Sequence, residues 1–347
     1  MNLADLNKVA LAMVAPGKGL LAADESSGTI KKRFDNINVA STEESRRDYR
    51  EMLFRSSEAM AQYISGVILY DETIWQNAKD GTPLIKIIEQ SGAIPGIKVD
   101  EGTQALSNCP GELVTTGLDR LAERLKKYYE RGARFAKWRA VIDIGSGTGG
   151  GNIPTMTAIH VNAHALARYA ALCQAAQIVP IVEPEVLMDG DHDIDRCYEV
   201  TQRVLNKTFQ ELRIQRVALE GMILKPNMAI SGKKSTKQSS VEEVAEKTIR
   251  LLKRCVPAAV PGIAFLSGGQ SDEDATAHLD AMNRIGGLPW RLTFSYGRAL
   301  QAAPQKAWSG KAENVAAAQR AFSHRARMNS LASKGEWKAD LEKKKAA

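Results

Sequence analysis

Eight short apolar runs recur from one end of this chain to the other, and most of them lead into a polar or charged residue. They are Gly19–Ala23, Gly66–Tyr70, Gly96–Val99, Phe135–Ile142, Val179–Val186, Gly221–Leu224, Gly262–Leu266 and Leu292–Phe294. Each has the length of a strand rather than a helix. Between them lie stretches with helical signals. Thr42 opens an amphipathic segment to about Tyr63, and Thr116–Tyr129 carries apolar residues at helical spacing. Asp193–Leu212, Ser240–Cys255 and Ser271–Ile285 each begin with a capping-type residue. Strands alternating with helices imply βαβ units and a parallel sheet. Eight such units over about 300 residues fit an α/β fold closed into a single (β/α)8 TIM barrel. No Gly-x-Gly-x-x-Gly follows the first run, which counts against a dinucleotide-binding sheet.

No Pro/Gly/Ser-rich linker divides the chain, so one barrel domain is expected over residues 1–335, with 336–347 as a short, charged, flexible tail. The stretch Gly145–Gly151 lacks the Gly-Lys-Ser/Thr ending of a phosphate-binding P-loop and reads as a flexible connection. No apolar run approaches the ~20 residues of a membrane span, and the first residues carry no basic-then-apolar signal pattern. A cytoplasmic protein without a membrane partner is expected. The four cysteines, Cys109, Cys173, Cys197 and Cys255, form no C-x-x-C pair and read as reduced thiols. A formal charge of +7 suits either nucleic acid or a small anionic substrate. The basic residues form no long stripe, and no nucleic-acid partner is expected.

Lys225 carries the sharpest chemical signal. It follows the apolar run Gly221–Leu224 and precedes Pro226, which ends the strand ladder. A lysine at the end of a buried strand is costly unless it is used, and a desolvated amine can form a Schiff base with a carbonyl. The alternative is a lysine snorkelling outward or held in an ion pair. In a barrel, the site lies where the strands' C-terminal ends open. Asp24, Lys98, Lys137, Arg139, Glu183, Glu185 and Lys225 all fall there, with Lys137/Arg139 and Glu183/Glu185 sharing strand faces by their two-residue spacing. Each could be one member of a structural ion-pair network. Together they favour a catalytic mouth. Lys137 would lower the Lys225 pKa by like charge, Glu183 would move protons, and Asp24 would take a hydroxyl proton.

Two glycine-rich turns add an anion signal. Ser267-Gly268-Gly269 follows the seventh run, and Ser295-Tyr-Gly297-Arg298 follows the eighth, where barrels often bind phosphate. The glycines let the backbone approach an anion, and Arg298 is a forked donor. Ser26, Ser27 and Thr29, ahead of Lys31-Lys32-Arg33, could hold a second phosphate with Lys98, or could lie on a solvated basic helix face. A retro-aldol on a doubly phosphorylated keto sugar needs this set, and neither metal nor cofactor. His160 and His164, four apart, are the one histidine pair spaced for a metal, but no strand-end histidine joins them. A zinc-dependent aldolase is therefore disfavoured. Other lysine-type aldolases, such as transaldolase, share the barrel and need one phosphate pocket. A basic polyanion-binding protein with a degenerate site is the reading from another class.

Beyond these local signals, the chain from about residue 3 to 335 resembles class I fructose-1,6-bisphosphate aldolase, the Schiff-base type. The resemblance is carried by Leu21-Ala-Ala-Asp-Glu-Ser26, Gly96-Ile-Lys-Val-Asp100, Phe135-Ala-Lys-Trp-Arg139, Val179-Pro-Ile-Val-Glu-Pro-Glu185, Asp189-Gly-Asp-His-Asp193, Leu224-Lys-Pro-Asn227, Phe265-Leu-Ser-Gly-Gly-Gln-Ser271 and Thr293-Phe-Ser-Tyr-Gly-Arg298. It implies that Lys225 is the Schiff-base lysine and Glu183 the main acid/base, with Asp24 and Lys137 acting around C–C cleavage. It further implies that Glu185 positions charged neighbours. Ser267, Gly268, Gly297 and Arg298 would hold the C1 phosphate, with Gly269 and Ser295 on the same turns. Lys98, Arg139, Ser26 and Thr29 would lie toward the C6 phosphate. A cytosolic homotetramer of glycolysis and gluconeogenesis is implied too. Animal members end in a tyrosine that assists enamine protonation; this chain ends Glu342-Lys-Lys-Lys-Ala-Ala347, and its tail is assigned no catalytic role.

Overall fold

The computed structural model describes residues 2–145 and 153–343. Residues 146–152, nearly all of the glycine-rich connection, and residues 344–347 lie outside them. Eight parallel strands close into a barrel: β1 (Gly19–Ala23), β2 (Ile64–Leu69), β3 (Ile94–Lys98), β4 (Phe135–Ile142), β5 (Val179–Val186), β6 (Ile223–Leu224), β7 (Gly262–Phe265) and β8 (Arg291–Tyr296). Each pairs with the next, and β8 returns to β1 through Leu20 opposite Ser295. All eight apolar runs are strands. β6 is the shortest, because Pro226 has no N–H to donate; the Lys225 N–H still reaches the Val182 carbonyl at 2.8 Å.

The barrel's two ends differ in chemistry. At the N-terminal end, Phe135 and Phe294 fill the interior where Gly96 and Gly19 lack side chains. A methyl group at Gly96 would sit 2.2 Å from the Phe135 ring, and one at Gly19 would sit 2.6 Å from Phe294. The helix Leu3–Met13 closes that end, with Leu6, Ala10 and Met13 packed on Leu20, Phe135, Ile181 and Ile223. Outside the strands, Trp138 stacks on Tyr169 of the helix Met156–Ala175 at 5.6 Å between ring centres. With apolar layers below and outside, the charged strand-end residues are left facing one opening.

Asp193, Ser240 and Ser271 are N-caps whose side chains accept from Arg196, Glu243 and Asp274 amides, satisfying donors the helix start leaves free. The expected long helix after Thr42 is two, Glu43–Phe54 and Ser57–Gln62, parted where the Ser56 hydroxyl bonds back to the Met52 carbonyl. The segment expected at Thr116 becomes helical only at Leu121, since Gly117 and Arg120 adopt left-handed conformations. A short ribbon, exposed Thr103–Ala105 against Leu113–Thr115, gave no sequence signal at three residues per strand.

The tail departs from the flexible reading. The Trp337 N–H bonds the Asp280 carboxylate at 2.8 Å, and half-buried Glu342 accepts from Arg325 and the Trp337 indole at 2.5 and 3.0 Å. Up to Lys343 the tail is anchored against the helices Asp272–Ile285 and Val315–Ala332.

Candidate active site

Four strand ends bring their charged side chains into one chain of contacts. The Lys225 ammonium lies 3.2 Å from Glu183 Oε1, the Lys137 ammonium 3.2 Å from Glu183 Oε2, and Lys137 donates to Asp24 Oδ2 at 2.9 Å. Lys225, Glu183 and Lys137 are 3%, 3% and 5% exposed. The two glutamate contacts are electrostatic. Among the described residues Glu183 Oε2 has no hydrogen-bond partner, so a proton can be delivered to it or taken from it without first breaking such a bond.

The two lysines differ in their company. Lys137 faces two carboxylates at contact distance and Lys225 faces one. Burial works against the Lys137 charge, yet Asp24, Glu183 and Asp100 outweigh it and hold the ammonium above the ordinary lysine range. Burial likewise pushes the Asp24 carboxyl up, but Lys137 and Lys225 outweigh it and hold Asp24 well below the ordinary carboxylate range. Lys137 is thus a cation and Asp24 an anion at neutral pH in the empty site. Of the pair, Lys225 is the amine less committed to carboxylates.

A cavity of about 700 Å³ opens above this chain, lined by Asp24, Ser26, Thr29, Lys98, Lys137, Arg139 and Gly297. Ser26 and Thr29 hydroxyls are 3.2 Å apart. Lys98 pairs with Asp100 at 2.7 Å, and Arg139 bonds Glu185. Burial raises the Glu185 carboxyl above its ordinary range; Arg139 pulls it back, and the charge of Glu183 adds to the rise.

On the β7–β8 side, Ser267 and Ser295 are buried, and the Ser295 hydroxyl has no hydrogen-bond partner among the described residues. Gly268 and Gly269 pack against Met188, where a methyl group would sit 2.7 Å and 2.2 Å from its side chain. Arg298 is exposed, donates to the Gln270 carbonyl, and joins no salt bridge among the described residues.

Two further arginines line the cavity. Arg33 turns into it, held by Glu25, while Lys31 of the same basic run stays outside in an exposed pair with Asp35. The signal was available: Ser26, Thr29 and Arg33 fall at i, i+3 and i+7, one helix face. Arg124 also lines the cavity and is fixed by the Val99 and Gly117 carbonyls. Nothing in its amphipathic helix marked it. His160 and His164 lie in the outer helix layer, their Nδ1 atoms 3.4 and 3.1 Å from Glu211.

A closed parallel barrel whose strand ends converge on a buried lysine–glutamate–lysine–aspartate chain has the arrangement that a Schiff-base lyase of the (β/α)8 class requires. Residues 5–347 match the family described as "Glycolytic: Fructose-bisphosphate aldolase class-I". A probable fructose-bisphosphate aldolase class 1 of Xanthomonas campestris pv. campestris is 57% identical, covering 97% of this chain and all of that one. A cytosolic fructose-bisphosphate aldolase of Arabidopsis thaliana is 54% identical over 94% of this chain and 82% of its own. The solved Plasmodium falciparum aldolase, crystallised with TRAP and a small-molecule inhibitor, superposes with a TM-score of 0.93. It is 48% identical, and the match covers 97% of this chain and 96% of that one. The chain belongs to the class I fructose-bisphosphate aldolase family, metal-independent Schiff-base lyases of glycolysis. No helix among the described residues is long and apolar enough to cross a membrane.

Proposed function

We propose that Lys225 attacks the C2 carbonyl of fructose 1,6-bisphosphate and that the residues around it divide the remaining work. The single observation that carries this reading is the unbroken contact chain from Lys225 through Glu183 and Lys137 to Asp24. The neutral amine adds to the carbonyl. Glu183, touching both lysines, takes the proton that frees the Lys225 amine and returns it to the carbinolamine hydroxyl, which leaves as water, and an iminium remains. Asp24 accepts the C4 hydroxyl proton as the C3–C4 bond breaks, and the bonding electrons move into the iminium to give an enamine. Glyceraldehyde 3-phosphate leaves first. Protonation at C3 and hydrolysis of the iminium then release dihydroxyacetone phosphate and restore the amine. Lys137, fixed as a cation, keeps Asp24 ionised and holds Glu183 in place between the two lysines. Glu185 holds Arg139.

The two phosphates are assigned to opposite sides of the mouth. Ser267, Gly268, Gly269, Ser295, Gly297 and Arg298 take the C1 phosphate; Ser26, Thr29, Lys98 and Arg139 take the C6 phosphate, with Arg33 beside them. The working form is a cytoplasmic homotetramer, as the resemblance implied.

Borohydride reduction in the presence of fructose 1,6-bisphosphate and excess EDTA, followed by peptide mass mapping, tests the assignment. A triose-phosphate adduct on Lys225 is expected, with turnover unaffected by the chelator. An adduct on Lys137, or turnover abolished by EDTA, would overturn it.

A further inference from the structure

The loop after β6, Ser231-Gly-Lys-Lys-Ser-Thr-Lys237, carries three lysines that none of the chemistry above uses. It is stitched to the loop after β5. Gly232, Lys233 and Lys234 N–H groups donate to the His192, Met188 and Gly190 carbonyls at 2.8, 2.8 and 3.0 Å. Gly232 admits this approach because a methyl group there would lie 2.2 Å from the Gly190 oxygen. The stitching fixes the Lys233 backbone beside the turn after β7. Its side chain then runs against Gly269, where an added methyl group would meet Lys233 Cε at 3.0 Å. Gly269 has a φ of +76°, so its turn is set independently of that contact.

The Lys233 ammonium pairs with Asp189 at 2.6 Å, but the side chains are 48% and 61% exposed. An ion pair that open is worth little, and a dianion arriving at the neighbouring turn competes for the ammonium on favourable terms. We propose that Lys233 is a further phosphate-binding residue, which leaves Asp189 to neutralise the C1 phosphate over the Ser267–Gly269 turn. This rests on the assignment of the C1 phosphate to that turn. As a flexible point charge, Lys233 complements the forked Arg298 and the neutral donors of the serines and glycines.

Steady-state kinetics with fructose 1,6-bisphosphate and fructose 1-phosphate on Lys233→Met and Lys233→Arg tests the proposal, with Arg298→Ala as the reference. Lys233→Met is expected to raise KM for both substrates by the same factor, on the order of 5-fold for one exposed charge, while kcat holds within about twofold. Lys233→Arg should restore KM, and the difference should shrink as salt rises to roughly 0.3 M. If Arg298→Ala raises KM for fructose 1-phosphate and Lys233→Met does not, this inference fails alone. If neither variant does so, the phosphate lies elsewhere and the underlying assignment fails with it. A fall in kcat that Lys233→Arg leaves uncorrected would make the residue structural and overturn the proposal.

Discussion

The two sides of the barrel mouth, to each of which the proposed function assigns one phosphate, are built by opposite means. On the β1–β4 side the principal cations already have carboxylates: Arg33 with Glu25, Lys98 with Asp100, Lys137 with Asp24, Arg139 with Glu185. On the β7–β8 side Arg298 is in no salt bridge among the described residues, and the buried Ser295 hydroxyl has no partner. A phosphate arriving on the first side must be exchanged for a carboxylate at each cation; one arriving on the second meets an arginine held only by a backbone carbonyl, and only the exposed Lys233–Asp189 pair has to open. The first arrangement keeps a crowded positive mouth stable when empty, because each cation is neutralised in place. The second binds with less rearrangement. Lys225, the proposed Schiff-base lysine, stands between them, just past β6.

The largest effect is expected at the centre of the paired side. Lys137→Met removes the cation shared by Asp24 and Glu183, so kcat should fall by about 10³, within the usual range for loss of an acid/base array. Stability should also fall by about 3–5 kcal/mol, the cost of breaking a buried ion pair. Combining Lys137→Met with Asp24→Asn should return much of the stability in a urea titration and none of the activity. Recovery of both would mean that the cluster is structural.

Next in size is the contrast between the two sides themselves. Arg298→Ala gives up charge-assisted bonds worth ~1.5–3 kcal/mol, so KM should rise about 10- to 100-fold with fructose 1,6-bisphosphate and with fructose 1-phosphate alike. Arg139→Ala should cost less, about 3- to 10-fold, because the stranded Glu185, already pushed up by burial, can neutralise itself by taking a proton. That cost should vanish with fructose 1-phosphate. Equal costs on both substrates for both variants would erase the distinction between the sides.

Much of this contrast was legible in the sequence. Each strand ends an apolar run, and period-two spacing alone put Lys137 with Arg139 and Glu183 with Glu185. The paired Ser-Gly turns marked the β7–β8 side. What the sequence withheld was pairing, because Glu25, Asp100 and Glu185 meet their cations only once the barrel closes. Arg33 was hidden in a basic run whose neighbour Lys31 is solvated. Arg124 reaches the cavity from a helix read as an ordinary amphipathic one. The tail looked free because its anchors, Asp280 and Arg325, lie in helices that nothing local to residues 336–343 announces.

A pH titration probes the central pair without a substrate. Asp24 is depressed in the folded state, so its contribution to stability is fully present above its unfolded pKa of about 3.9 and is lost as pH falls toward the folded value. The stability difference between the native chain and Asp24→Asn should therefore stay constant from neutrality to about pH 5 and shrink below about pH 4. Shrinkage already near pH 6 would mean that Lys137 does not hold Asp24 as an anion.

The smallest effect is the most diagnostic, because its sign is reversed. Asp100 holds the Lys98 ammonium through Oδ1 at 2.7 Å, and the same oxygen accepts the Gly102 N–H at 3.2 Å. Asp100→Asn keeps an oxygen for the Gly102 N–H, gives up only the long 3.4 Å bond from the Arg139 N–H to the other oxygen, and removes the charge that competes for Lys98. If the paired side works by exchanging carboxylate for phosphate, the variant should bind fructose 1,6-bisphosphate more tightly, with KM lowered by roughly 2- to 4-fold, the scale of one partly exposed ion pair. Its KM for fructose 1-phosphate should stay as it was. The empty enzyme should lose stability, since Lys98 would then face Lys137 and Arg139 without its counter-ion. A raised KM would show that Asp100 aims Lys98 at the substrate rather than withholding it, and the two sides of the mouth would then work by one principle.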